Sequence, residues 1–184
     1  MENNKKSENR LLFSYLLYPE VKFETYEEGE KIILLLRAHP FTQLPWIFNT
    51  LIFIVLAIAA GFFLPQFLSF NKVFVFNCFS IVFILSFIWF NILNWYFNVG
   101  ILTNKRLIDI DFSGILYREV TIARLDKIED ITIKSGGYFG SLFDFGSIYV
   151  QTAGMENYIE FNDIPYPSMV VEKINKLLSK KHGV

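Results

Sequence analysis

Two stretches without a single charged residue decide what this chain can become: Trp46–Leu64, 19 positions, and Val73–Val99, 27 positions. At a helical rise of about 1.5 Å per residue they measure about 29 Å and about 40 Å. The hydrocarbon core of a bilayer is about 30 Å thick, so the first fits and the second must tilt or run on into the headgroups. Trp46 opens the first stretch, and Trp95 and Tyr96 lie near the end of the second, where aromatic residues mark the membrane–water boundary. A chain of 184 residues has too little remaining mass to wrap two such helices in a soluble core. The sequence therefore predicts transmembrane helices at 46–64 and 73–99, joined by an external loop at 65–72. So short a loop forces a hairpin with both ends on one side. Lys31, Arg37, Lys105 and Arg106 flank the spans on that side, against Lys72 alone at the loop, so the positive-inside bias places both termini in the cytoplasm.

Polar residues interrupt the second span. At 100° per residue Asn77, Ser80, Asn91, Asn94 and Asn98 fall within one arc of about 100°. Either they form a helix–helix or oligomer contact, since amides hydrogen-bond across helices, or most of them sit at headgroup depth. Ala57 and Gly61 make a small-xxx-small pair in the first span, suited to close packing against the second.

Outside the spans the charge is balanced. The whole chain carries 17 basic and 18 acidic residues, net −1. Neither flank has the basic excess of a nucleic-acid binder, and no nucleic-acid partner is expected. The single cysteine, Cys78, permits no intrachain disulfide. His39 and His182 are too few for a multi-histidine metal site, and residues 1–10 are too polar for a signal peptide.

The N-terminal segment, 1–45, is polar and acidic apart from two apolar runs. The patch 11–18 reads as a membrane-surface helix or a strand. Lys31–Arg37 reads as a buried strand or the lead-in to the first span, and Pro40 breaks it. From Gly100 to the end, 100–184, the period becomes two. Arg106–Phe112 alternates, with Ile108, Ile110 and Phe112 on one face and Asp109 and Asp111 on the other. Further strands are expected at 115–122 (Leu116, Val120 and Ile122 inward), 128–134 (Ile131 and Ile133 inward), 146–152 (Ile148 and Val150 inward) and 158–162 (Ile159 and Phe161 inward). Met169–Lys181 shifts to helical spacing, with Val170, Val171, Ile174, Leu177 and Leu178 in one stripe. The fold class is thus a transmembrane hairpin plus a mainly β domain: an antiparallel barrel or sandwich capped by one C-terminal helix.

A series of motifs carries a family resemblance. Gly29-Glu30-Lys31-Ile32-Ile33 and Leu36-Arg37-Ala38-His39-Pro40 come first, then the two spans. Leu102-Thr103-Asn104-Lys105-Arg106-Leu107-Ile108 and Leu125-Asp126-Lys127-Ile128-Glu129-Asp130-Ile131 follow, then Leu142-Phe143-Asp144-Phe145-Gly146-Ser147-Ile148 and Pro165-Tyr166-Pro167. In order and spacing this resembles the bacterial pleckstrin-homology (PH) domain membrane proteins, the YdbS-like group. The resemblance implies a bacterial cell-membrane protein and a bent barrel of seven antiparallel strands with a helix across one end. It supplies no catalytic residues. Asn98–Leu102 and Lys31–Arg37, or part of Leu125–Ile131, are candidates for the two strands still wanting.

Residues 135–141 are glycine-rich but lack the Lys-Ser/Thr of a phosphate loop, so an inter-strand loop is expected there, with Tyr138 and Phe139 as candidate membrane or partner contacts. Asp126, Glu129 and Asp130 read as a solvated turn, and His39 as an interfacial residue or proton carrier. Lys105, Arg106, Arg118 and Arg124 are candidates for headgroup phosphates or a partner, or simply for anchoring. The candidate helix contacts are Asn77, Ser80, Asn91, Asn94, Ala57 and Gly61. No cofactor, metal or catalytic set is expected. The reading is a non-catalytic, membrane-anchored binding or scaffolding module whose partners are the bilayer and a protein or a second copy. The alternatives are a subunit of an oligomeric channel or transporter, or an anionic-lipid-binding domain.

Overall fold

The structure, a computed structural model, describes residues 14–19, 29–113, 117–135, 137–153 and 158–182. They divide into two compact units: one made of residues up to His39 and from Tyr96 onward, the other running Pro40–Trp95. In chain order the elements are β1 (Tyr15–Leu17), β2 (Ile32–Leu36), α1 (Leu44–Phe63), α2 (Phe70–Phe97), β3 (Val99–Thr103), β4 (Arg106–Ser113), β5 (Tyr117–Arg124), β6 (Ile128–Ser135), α3 (Gly137–Phe143), β7 (Phe145–Thr152), β8 (Ile159–Pro165) and α4 (Pro167–His182).

β1 to β5 form one antiparallel sheet in chain order, and β6 to β8 form a second. The pairing of β2 with β3 organises the unit. Leu36 stands opposite Gly100 and Leu34 opposite Leu102, although both membrane-type helices lie between these strands in the chain. The hairpin is therefore an insertion in one strand-to-strand connection, and the strand candidates Lys31–Arg37 and Asn98–Leu102 are neighbours.

The core lies between the sheets. Leu34, Leu36, Leu102, Leu107 and Ala123 meet Ile148, Val150, Ile159 and Phe161, and α4 closes the end with Val170 and Ile174. Gly100 is required here, because a Cβ would stand 2.4 Å from Cδ1 of Phe161. β2 is a continuous apolar run because both of its faces are covered: Leu34 and Leu36 enter the main core, while Ile32 joins Ile101 and Ile108 in a second cluster.

Several sequence expectations change. Ile108 does not enter the main core. Leu107 does, and by strand alternation Asp109 and Asp111 share its face. The apolar-in rule fails because this sheet is covered on both sides. Ile133 is 39% exposed and Val120 is 41% exposed, each on the edge strand of its sheet. β5 runs Tyr117–Arg124, and Leu116 lies outside the described residues. Residues 137–143 form helix α3 rather than a loop. The uncharged run extends beyond α2: Val99 already pairs with Ile110, and Asn98 Oδ1 accepts the N–H of Phe112 at 2.6 Å.

In the other unit, α1 and α2 are each long and apolar enough to cross a membrane, and most of their large side chains face outward. Phe53 meets the edges of Phe83 and Phe87 at 5.6 and 5.4 Å.

A buried ion pair ties the segment before β2 to the β3–β4 turn. Glu30 is fully buried, and its two oxygens accept from Nε and Nη2 of Arg106, each at 2.9 Å. Asn104 adds a second tie, donating to Gly29 O and accepting from Lys31 N–H. Removing one partner of such a pair leaves an uncompensated charge. Glu30→Ala is expected to destabilise the β unit by about 3 kcal/mol. Glu30→Met combined with Arg106→Met should recover most of that loss in denaturant unfolding of detergent-solubilised protein.

Candidate functional site

The four basic candidates sit on the β4–β5 hairpin and the turn before it. Arg106 and Arg124 stand opposite each other, as do Phe112 and Arg118. Their surroundings differ. Arg106 is engaged by Glu30 in a bidentate pair. Arg124 reaches Asp126 at 3.3 Å with its own side chain largely in solvent, and so weak an exposed pair holds little. Arg118 lies over the Phe112 ring at 5.9 Å. Lys105 is half-buried, with its N–H donated to Thr103 Oγ1. The motif Thr103-Asn104-Lys105-Arg106 is thus first a structural turn, and its basic spacing gave no sign of Glu30.

Sequence reasoning missed an acidic cluster. Asp109 is 8% exposed on the inner face of β4. Burial is the main cause that pushes its carboxyl up to about 8, aided by Asp111 beside it and by Glu160 and Glu119. Asp111 and Asp163 are also raised, first by burial. The alternating pattern of β4 marks these aspartates as one face, but only the second sheet makes that face interior.

The third feature surrounds the point where the chain leaves the β unit. Arg37 is buried at the end of β2; its Nε donates to Tyr96 O at 3.1 Å and its guanidinium lies 4.6 Å from the Tyr96 ring centre. A cation at the C-terminal end of α2 suits the helix dipole, and burial lowers the pKa of Arg37. His39 stacks on Phe145 at 5.3 Å, and its N–H donates to Asp163 O. Burial lowers its pKa, favouring the neutral ring. Beside Phe145 lies α3, which exposes Tyr138 (81%), Phe139, Leu142 and Phe143.

Among the helix candidates, Asn77 packs over Gly61: a Cβ there would be 3.6 Å from both amide atoms. Ser80 donates to Phe76 O and Asn91 to Phe87 O, so both bond within their own helix. Ala57 and Ser80 share the wall of an apolar groove of about 350 Å³ between α1 and α2. Asn94 is exposed.

Two antiparallel sheets packed face to face and capped by a C-terminal helix define a PH-like domain, here with a helical hairpin spliced into one connection. The model of the family described as bacterial PH domain matches residues 39–179. The chain belongs to the bacterial PH domain family. Among solved structures it is similar to a DUF1696 family protein with a pleckstrin-homology domain from Shewanella loihica PV-4, at 20% identity and TM-score 0.32, over 45% of this chain and 68% of that one. It is also similar to a pleckstrin homology domain from Shewanella amazonensis SB2B, at 15% identity and TM-score 0.34, over 44% of this chain and 65% of that one. No curated protein matches the chain.

Asp109 carries a pH prediction. Folded, it keeps its proton up to about pH 8; an ordinary aspartate loses it near 3.8. The folded state therefore binds more protons between those values, so stability falls as pH rises from about 4 through about 8. Asp109→Asn removes the share of this slope that Asp109 contributes, while Asp111 and Asp163, raised in the same direction, keep theirs. At about pH 9 the variant is expected to exceed the parent by about 1 kcal/mol or more, with little difference near pH 4, in denaturant titrations across that range.

Proposed function

We propose that this chain is a non-catalytic, membrane-anchored binding or scaffolding module. The α1–α2 hairpin holds the PH-like unit at the cytoplasmic face of a bacterial cell membrane, where that unit engages a protein partner or a second copy of itself. The observation that carries the reading is the site of insertion. Both helices lie between paired strands, so the β unit is tethered at two adjoining points, Leu36 and Val99, and not by one loose linker. Anchoring in this manner confines the unit to a thin layer and raises its effective concentration toward other membrane-bound molecules.

The orientation follows from the excess of basic residues on the terminal side of the spans. The channel alternative draws less support. Ser80 and Asn91 satisfy their own helix, and Asn77 lies against Gly61 of the same hairpin. Lipid headgroups remain a target for Lys105, Arg118 and Arg124, with about 1 kcal/mol for each basic residue near an anionic leaflet.

Sidedness and assembly test the proposal. In a Cys78→Ser background on intact cells, Lys72→Cys is expected to react with a membrane-impermeant maleimide and Lys127→Cys only after lysis. The reverse labelling would overturn the orientation. Cross-linking in native membranes should give a monomer, a dimer or a discrete hetero-complex; a closed ring with ion conductance would replace this reading with the channel one.

A further inference from the structure

We propose that α3 is a third membrane contact, a short aromatic finger that seats the PH-like unit in the interfacial layer of the same bilayer that holds the hairpin. The proposal rests on the anchored reading above and adds a lipid-facing surface to the β unit itself.

The composition of α3 is unusual for an exposed helix. Its seven residues carry no charge; Tyr138 and Leu142 are the most exposed, and Phe139 and Phe143 also keep about half of their surface open. The buried member is Gly140, and its lack of a side chain explains this exposure. A Cβ there would lie 2.8 Å from Phe145 O, so the helix backbone rests directly on the start of β7. With the small residue beneath, the large ones keep much of their surface exposed. Ser141 donates to Gly137 O and so meets its hydroxyl's need within the helix. Four exposed, largely apolar side chains gathered in one place would be costly in water; Tyr favours the headgroup boundary, and Phe and Leu are side chains that dip into it from surface-lying helices.

The occupant is fixed by where α3 stands. Phe145, on which Gly140 rests, stacks on His39 at 5.3 Å. His39 is the last residue of the β unit before Pro40 opens the apolar segment. Arg37, two residues earlier, holds Tyr96, where the chain returns. The finger therefore occupies the end of the β unit from which the chain departs toward the bilayer and to which it comes back. Tyr166 is also exposed at this end, with its N–H donated to Asp144 O. Asp144 directly follows α3 and faces solvent. A carboxylate in that place opposes deep burial and sets the expected depth at the headgroup layer.

Depth-sensitive spin labelling of the full chain in nanodiscs of phosphatidylcholine and phosphatidylglycerol tests this. In the Cys78→Ser background, nitroxides are placed through Leu142→Cys, through Phe79→Cys as a hairpin reference and through Lys176→Cys as an aqueous reference. The proposal expects the label at 142 to show an oxygen-over-nickel-chelate accessibility ratio several-fold above that at 176 and below that at 79. If the label at 142 matches 176 while 79 reads deep, the finger fails and the anchored reading stands. A label at 142 shielded from both reagents means a protein covers it, which also overturns the lipid assignment. If 79 itself reads aqueous, the anchored reading fails and the finger proposal falls with it.

Discussion

The pairing of β2 with β3 is the constraint on which everything else rests. Their hydrogen bonds fix Leu36 opposite Gly100 and Leu34 opposite Leu102, and so decide that residues 37–98 leave and re-enter the β unit at neighbouring points. A loop that long is entropically costly to close if it is flexible. The hairpin reduces the cost, because an antiparallel pair of helices brings its own two ends back together. The ion pair of Glu30 with Arg106 and the amide of Asn104 then fasten the far end of the same two strands. Arg37 and His39 fasten the near end.

This arrangement separates the chemistry of the β unit into regions. At the β3–β4 turn, charge is consumed in holding the fold. On the inner face of β4, burial and mutual repulsion keep Asp109 protonated well into the neutral range. Around Phe145 the exposed groups are mostly aromatic and aliphatic, carried by α3 and Tyr166.

Much of the fold could be read from residue order. Val170, Val171, Ile174, Leu177 and Leu178 fall on one helical stripe, and α4 places Val170 and Ile174 in the core. Ile148 with Val150 and Ile159 with Phe161 alternate as half-buried strands do, and all four are interior. Periodicity failed where both faces of a strand are covered. In β4 the rule that apolar residues point inward selects Ile108, Ile110 and Phe112, whereas the inter-sheet face carries Leu107 and Asp109. The glycines around Tyr138 suggested a loop. Gly140 instead lets a helical turn press against Phe145 O, a use of glycine that depends on a neighbour no local pattern names.

The sequence by itself determined that this chain has two helices fit for lipid and a β domain of alternating strands with a terminal helix, because charge exclusion and periodicity are local properties of a chain. Tertiary structure alone decided that the helices interrupt the domain rather than precede it, that Arg106 answers to Glu30, and that Asp109 turns inward. Each of these depends on contacts between residues far apart in the chain, and the physical terms involved (strand register, paired charge, desolvation) arise only once those residues meet.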